Sequence, residues 1–155
     1  MIDELQVFLI FCEDIRKDDG GKPMLIGVLS PVFVTSPNPG VGDEVQLVTF
    51  VHAPHQIEEV ALKLELSFSG FGSQDRNTVL STKLHRPNDT NPSDPWAAYL
   101  PLPVTVEEWR DGSVVGARLT ANDVAASAQL TCRMETEPAP AVKRKPRKRI
   151  GAVPA

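Results

Sequence analysis

Cysteine is almost absent. Cys12 and Cys132 are the only two, too few and too far apart for a disulfide framework or a zinc knuckle. Tyrosine occurs once and tryptophan twice, and the basic tail over residues 143–149 has no aromatic residue, so base stacking by the tail is not indicated. No apolar run approaches the length of a membrane span. No segment sustains a helical period of apolar residues, and fourteen prolines in 155 residues argue against long helices. Carboxylates are missing after Glu137, although all twenty lie at or before it. What remains is a chain with 41% hydrophobic residues, enough for one core, and a length suited to one domain.

The charge has two parts. Residues 1–142 hold ten Lys or Arg against twenty Asp or Glu, a net of −10. Residues 143–155 hold Lys143, Arg144, Lys145, Arg147, Lys148 and Arg149, a net of +6. An acidic body and a short basic tail are separate electrostatic objects. At the other end, Asp3 and Glu4 stand where a secretory signal needs positive charge. The expected compartment is therefore the cytoplasm.

Strand-length apolar segments alternate with turn signals along most of the chain. The first, Leu5 to Glu13, is apolar on both faces, as expected of a strand in the middle of a sheet. Asp18-Asp19-Gly20-Gly21 supplies hairpin chemistry, and the return strand is Met24 to Leu29. Pro31 precedes Val32-Phe33-Val34 and marks a break or an edge, because proline cannot donate to a ladder. Val45 to His52 follows a Pro/Gly loop. From Val60 to Phe68, Val60, Leu62, Leu64, Leu66 and Phe68 share one face while Lys63, Glu65 and Ser67 share the other. That period of two is a strand with one dry side. Further strands are expected over Thr78–Leu84, Ala98–Val104 (whose prolines suit a sheet edge), Val114–Thr120 and Ala126–Glu135, the last two joined by Asn122-Asp123.

The pattern predicts an all-β, two-sheet antiparallel β-sandwich, most simply immunoglobulin-like, over residues 1–136. A Pro/Ala/Lys/Arg-rich tail is expected over 137–155, where burial cannot offset the entropy of ordering.

Phe11-Cys12-Glu13-Asp14-Ile15-Arg16, Gly21-Lys22 and Leu25-Ile26-Gly27-Val28 resemble the opening of a family of small uncharacterised bacterial proteins, a domain of unknown function. Pro101-Leu102-Pro103 and the Gly-led strand from Gly112 are similar in kind to its closing part. The resemblance spans roughly residues 5–135 without the basic tail. It implies a compact β-sandwich and brings no catalytic residues.

Candidate chemistry is sparse. His52 and His55, with Glu58 and Glu59 nearby, form the best metal-like cluster, but Pro54 between the histidines breaks both helical and strand spacing. A solvated loop is the expected reading. Glu13, Asp14, Asp18 and Asp19 do not match a calcium loop and read as residues around a hairpin. Gly70-Phe71-Gly72 leads to another strand where a phosphate cradle would need a helix, so it reads as a turn. Cys12 and Cys132 occupy strand positions suited to small buried hydrophobes. No metal, cofactor or catalytic residue is expected. Trp96 and Trp109 flank the proline-rich strand and form either a partner surface or a cap on the core. The tail residues Lys143, Arg144, Lys145, Arg147, Lys148 and Arg149 are candidates for binding a polyanion or an acidic partner.

The expected function is a non-enzymatic binding or accessory module with a protein partner or self-assembly, and weak non-specific nucleic-acid binding through the tail. The alternatives are a virion-associated structural subunit, which would place the chain in a capsid or tail, and a metal-dependent enzyme using His52 and His55.

Overall fold

Nine strands and one short 3-10 turn make up the computed structural model, which describes residues 3–29, 31–35, 44–105 and 109–134. In chain order the strands are β1 (Gln6–Lys17), β2 (Pro23–Val28), β3 (Val32–Thr35), β4 (Glu44–Ala53), β5 (Glu59–Ser69), β6 (Arg76–His85), β7 (Trp96–Thr105), β8 (Val114–Ala121) and β9 (Val124–Met134). Each expected strand is present, most of them longer by one or more residues, although Leu5 and Leu29 fall outside β1 and β2 and Glu135 lies outside the described residues. The basic tail lies outside the described residues.

The strands form two sheets, ordered β2-β1-β4-β7 and β3-β9-β8-β5-β6. The run β9-β8-β5-β6 corresponds to strands G-F-C-C′ of an immunoglobulin-like sandwich, and β1-β4-β7 to A-B-E. The chain crosses between sheets from β4 to β5, from β6 to β7 and from β7 to β8, as that Greek key requires. Among the described residues no strand occupies the D position beside β7. One pairing departs from the antiparallel expectation: β3 runs parallel to β9, with Val32 opposite Thr131. Pro31 is where the chain leaves the first sheet for the second. Its carbonyl accepts a hydrogen bond from Thr131 N at 2.7 Å, and its missing N–H costs nothing at that crossing.

Alternation builds the core. On β5, Val60, Leu62, Leu64, Leu66 and Phe68 are buried. They lie beside Val115, Ala117, Leu119 and Ala121 of β8, with Leu64 opposite Leu119 and Leu66 opposite Ala117. Val45, Leu47, Val51 and Ala53 of β4 belong to the same buried cluster, as do Val7 and Phe11 of β1 and Leu130 and Cys132 of β9. Large and small side chains are interspersed, which lets the two inner faces interdigitate.

The turns use side chains where the backbone needs them. Asn122 adopts φ 48° between β8 and β9, a left-handed conformation that asparagine tolerates, and its Oδ1 accepts from Ala61 N at 3.1 Å. Gly70 has φ 79°, and a Cβ there would lie 3.0 Å from the Cα of Ser113. Only glycine serves where the β5–β6 connection passes the turn ahead of β8. The loop from Arg86 to Pro95 is held at the same end as the turn after β4: the Arg86 guanidinium donates to the carbonyls of Pro92 and His55.

Leu64 and Lys63 test the alternation directly. Leu64→Asp places a carboxylate without a partner in the core and is expected to cost on the order of 3–4 kcal/mol. Lys63→Asp, one residue away on the wet face, is expected to cost under about 1 kcal/mol, including loss of the exposed contact with Glu65 at 3.5 Å. Chemical denaturation of both variants checks this, and equal losses would contradict the assigned faces.

Candidate functional site

The sequence candidates do not converge. His52 lies on β4, on the face turned away from the core, where its ring meets Phe8 edge-on at 6.0 Å. His55 falls in the turn beyond β4, where its carbonyl holds Arg86. Glu59 is engaged elsewhere, its carboxylate 2.8 Å from Lys83 Nζ and 3.5 Å from His85 Nδ1. The hydrogen bond from Lys83 holds that carboxyl below its ordinary range. Among the described residues no group of three His, Cys, Asp or Glu side chains is placed to hold a metal ion.

The acidic residues near the first hairpin have local duties. Asp14 accepts from Arg16 Nε at 2.9 Å and from Ile15 N at 2.8 Å, and these bonds, the arginine's first, hold its pKa down. Asp18 Oδ1 accepts from Lys22 N at 2.7 Å, closing the β1–β2 turn. Glu13 reaches across to Gly27, whose φ is 61°. A Cβ at Gly27 would overlap the Glu13 carboxylate at 2.3 Å. Gly70 and Gly72 belong to the connection into β6, where Phe71 N donates to Asp75 Oδ1 at 2.7 Å. No helix of useful length follows them.

The tryptophan reading requires a correction. Trp96 is 3% exposed and Trp109 is 0% exposed, so neither is a partner surface. The Trp96 indole donates to the Ile57 carbonyl at 2.6 Å, tying the start of β7 to the turn ahead of β5. Trp109 meets Phe71 at 5.7 Å between ring centroids, and Phe71 in turn meets Phe68 at 6.1 Å. Indoles bury large apolar area when the N–H has an acceptor, and here they close two ends of the core. The polyanion candidates Lys143, Arg144, Lys145, Arg147, Lys148 and Arg149 lie outside the described residues.

Both cysteines are buried and neither forms a disulfide. Cys132 belongs to the core between the sheets. Cys12 shares a strand face with Phe8, Ile10 and Asp14, opposite the face that carries the core residues Val7 and Phe11. Desolvation raises its pKa, and the Asp14 charge adds to the effect. A thiol shifted that way is a poor nucleophile.

The outer face that carries Cys12 is not among the sequence candidates, although β1 lies in the middle of its sheet as expected. Registers place three rows across the outside of the β2-β1-β4-β7 sheet. One row is Phe8, Phe50 and Tyr99, another is Ile10, Val48 and Pro101, and the third is Val28, Cys12, Gln46 and Pro103. Met24 and Ile26 extend the apolar area along β2. Phe8 is 49% exposed, Val28 60% and Met24 48%. The Phe50 and Tyr99 rings lie 6.3 Å apart.

The second sheet is the opposite case. Its outer face carries Lys63, Glu65, Arg118, Ser127 and Gln129 with the exposed Val79 among them, and an open trough of about 600 Å³ crosses it. Gly116 floors that trough, since a Cβ there would meet Ser67 Oγ at 2.6 Å. One outer face is ordinary solvated sheet; the other is apolar over several strands.

The chain matches no family model and no curated protein sequence.

Cys12 and Cys132 are expected to react slowly with a thiol reagent in the native protein and rapidly once it is unfolded. Fast native labelling of either, followed by peptide mapping, would show that the thiols are not sequestered.

Proposed function

We propose that this chain is a non-enzymatic interaction module that holds a protein partner against the outer face of its β2-β1-β4-β7 sheet. One observation carries the reading: Phe8, Ile10, Val28, Phe50 and Tyr99 share a face turned away from the core, with Phe8 and Val28 strongly exposed, while the equivalent face of the other sheet carries Lys63, Glu65, Arg118 and Gln129. Exposed apolar side chains clustered in this way characterise interaction sites, and aromatic side chains give them most of their binding energy. Among the described residues the charges on that face, Asp14, Arg16 and Glu44, sit towards one end of the strands. They suit a polar rim around a dry centre.

The non-enzymatic part of the proposal rests on chemistry. The carboxylates Asp14 and Glu59 are paired, and the Cys12 thiol is shifted towards its neutral form.

The basic segment 143–149 supplies a second contact in this proposal, electrostatic and salt-sensitive, for a polyanion or an acidic surface. The face and the segment make separable predictions. A photo-crosslinking residue at position 8, introduced in the native host, is expected to trap a discrete protein product, whereas the same residue at position 63 on the polar sheet traps none. Equal products from both positions, or none from position 8, would remove the support for the face.

Deleting residues 137–155 is expected to leave the melting temperature unchanged, because the buried cluster of the described residues lies entirely before Glu137. The same deletion is expected to abolish weak binding to duplex DNA at low salt. For the full chain, the log of the affinity should fall with log salt at a slope of roughly −5 or shallower, as for at most six phosphate contacts. Titration of a short fluorescent duplex at two salt concentrations measures both effects. Identical binding by the two proteins would assign the segment no part in polyanion contact.

A further inference from the structure

A second unpartnered feature lies at one side of the sandwich, where β6 and β7 are the edge strands of the two sheets. Leu80 and Leu100 point into the sandwich from these edges, yet they remain 40% and 37% exposed. Between them an apolar cleft of about 50 Å³ reaches inward to Leu62, Leu64 and Leu119. In the fuller immunoglobulin-like arrangement, further strands cover this side. Here the cleft is open.

The two edges differ. β7 carries Pro101 and Pro103, which cannot donate to an added strand. β6 runs for ten residues without proline or glycine and pairs with β5 along its whole length. Its outer edge is a regular row of backbone donors and acceptors, the template that natural sheets usually blunt.

We infer that β6 pairs with β6 of a second copy of this chain, antiparallel about a twofold axis, and that this seals the cleft. Charge selects the occupant. The body carries a net of −10, so two copies repel wherever carboxylates face each other. Neither β6 nor β7 contains Asp or Glu, so the two edge strands themselves bring no carboxylates into opposition, and the Arg76 and Lys83 of β6 face the acidic body of a second copy.

The sequence of β6 is also compatible with itself. A register centred on Leu80 sets Leu80 against its own copy, Thr78 against Thr82, and Lys83 against Asn77, so no two cations stand opposite. Leu80 faces inward, and the paired leucines would close over Leu100 of each copy. Such an interface is isologous and closes at two subunits. A single strand edge buries less area than a permanent dimer usually needs, so the association should be reversible and concentration-dependent.

Light scattering coupled to size exclusion, on the full chain over a range of concentrations, provides the test. Wild type is expected to move from monomer to dimer mass as concentration rises. Leu80→Lys is expected to stay monomeric throughout with an unchanged circular dichroism spectrum, and Phe8→Lys, on the other sheet, to dimerise like wild type. Leu80→Cys adds a readout that keeps the native edge. On mild oxidation it should form a disulfide-linked dimer, because directly opposed strand residues lie within disulfide range. Wild type that is monomeric at every concentration would overturn the inference. So would a dimer that survives Leu80→Lys, or one lost only in Phe8→Lys.

Discussion

The register between β5 and β8 is the constraint on which the rest depends. These neighbouring strands of the larger sheet set Leu62, Leu64, Leu66 and Phe68 beside Ala121, Leu119, Ala117 and Val115. A slip of one residue would carry Lys63, Glu65 and Arg118 towards the core and expose the leucines. The dry centre specifies one register, and the hairpins β5–β6 and β8–β9 then align their outer strands on it. The trough on the outside of the sheet is the other half of the same alternation. Its residues are outward because their neighbours are inward.

The smaller sheet obeys the rule on its inner face and breaks it on the outer one. Val45, Leu47, Val51 and Ala53 face the core as expected. Their alternates include Val48 and Phe50, with Ile10 and Phe8 beside them on β1 and Pro101 and Tyr99 on β7. Cys12 and Val48 on that face are themselves fully buried, whereas Phe8, Val28 and Met24 around them stay about half exposed or more. Burial accounts for the first pair and not for the exposed side chains, which are the true departure from the alternation.

Much of this architecture was legible in the residues. The alternation from Val60 to Phe68, the hairpin signals at Asp18–Gly21 and Asn122-Asp123, and the edge character of the proline-bearing β7 all correspond to observed features. The break at Pro31 proved to be a change of sheet. The apolar face was visible too, in the two-sided run from Leu5 to Cys12, but it was read as a sign that β1 lies in the middle of a sheet. β1 does lie between β2 and β4. In a two-layer sandwich a central strand has its core on one side only, so the apolar residues on the other side, Phe8 and Ile10 with the buried Cys12, are not explained by its central place. The tryptophans show the converse limit: composition identified Trp96 and Trp109 as large aromatic anchors, but only the fold decided that they face inward. The parallel β3–β9 pairing left no local mark, because a parallel ladder joins segments remote in sequence and no turn announces it.

That parallel pairing has a bearing on how the molecule comes into being. β3 belongs to the first quarter of the chain, and its partner is the last strand of the sandwich. On a ribosome, β1 and β2 can form their hairpin early, but β3 has no neighbour until β9 has been synthesised. Early and late segments must therefore meet at the end, a long-range closure of the kind that slows the folding of β-proteins. Until that meeting, the strand edges of the larger sheet stay open to other chains, and the growing polypeptide is most vulnerable to wrong pairing just before it is complete.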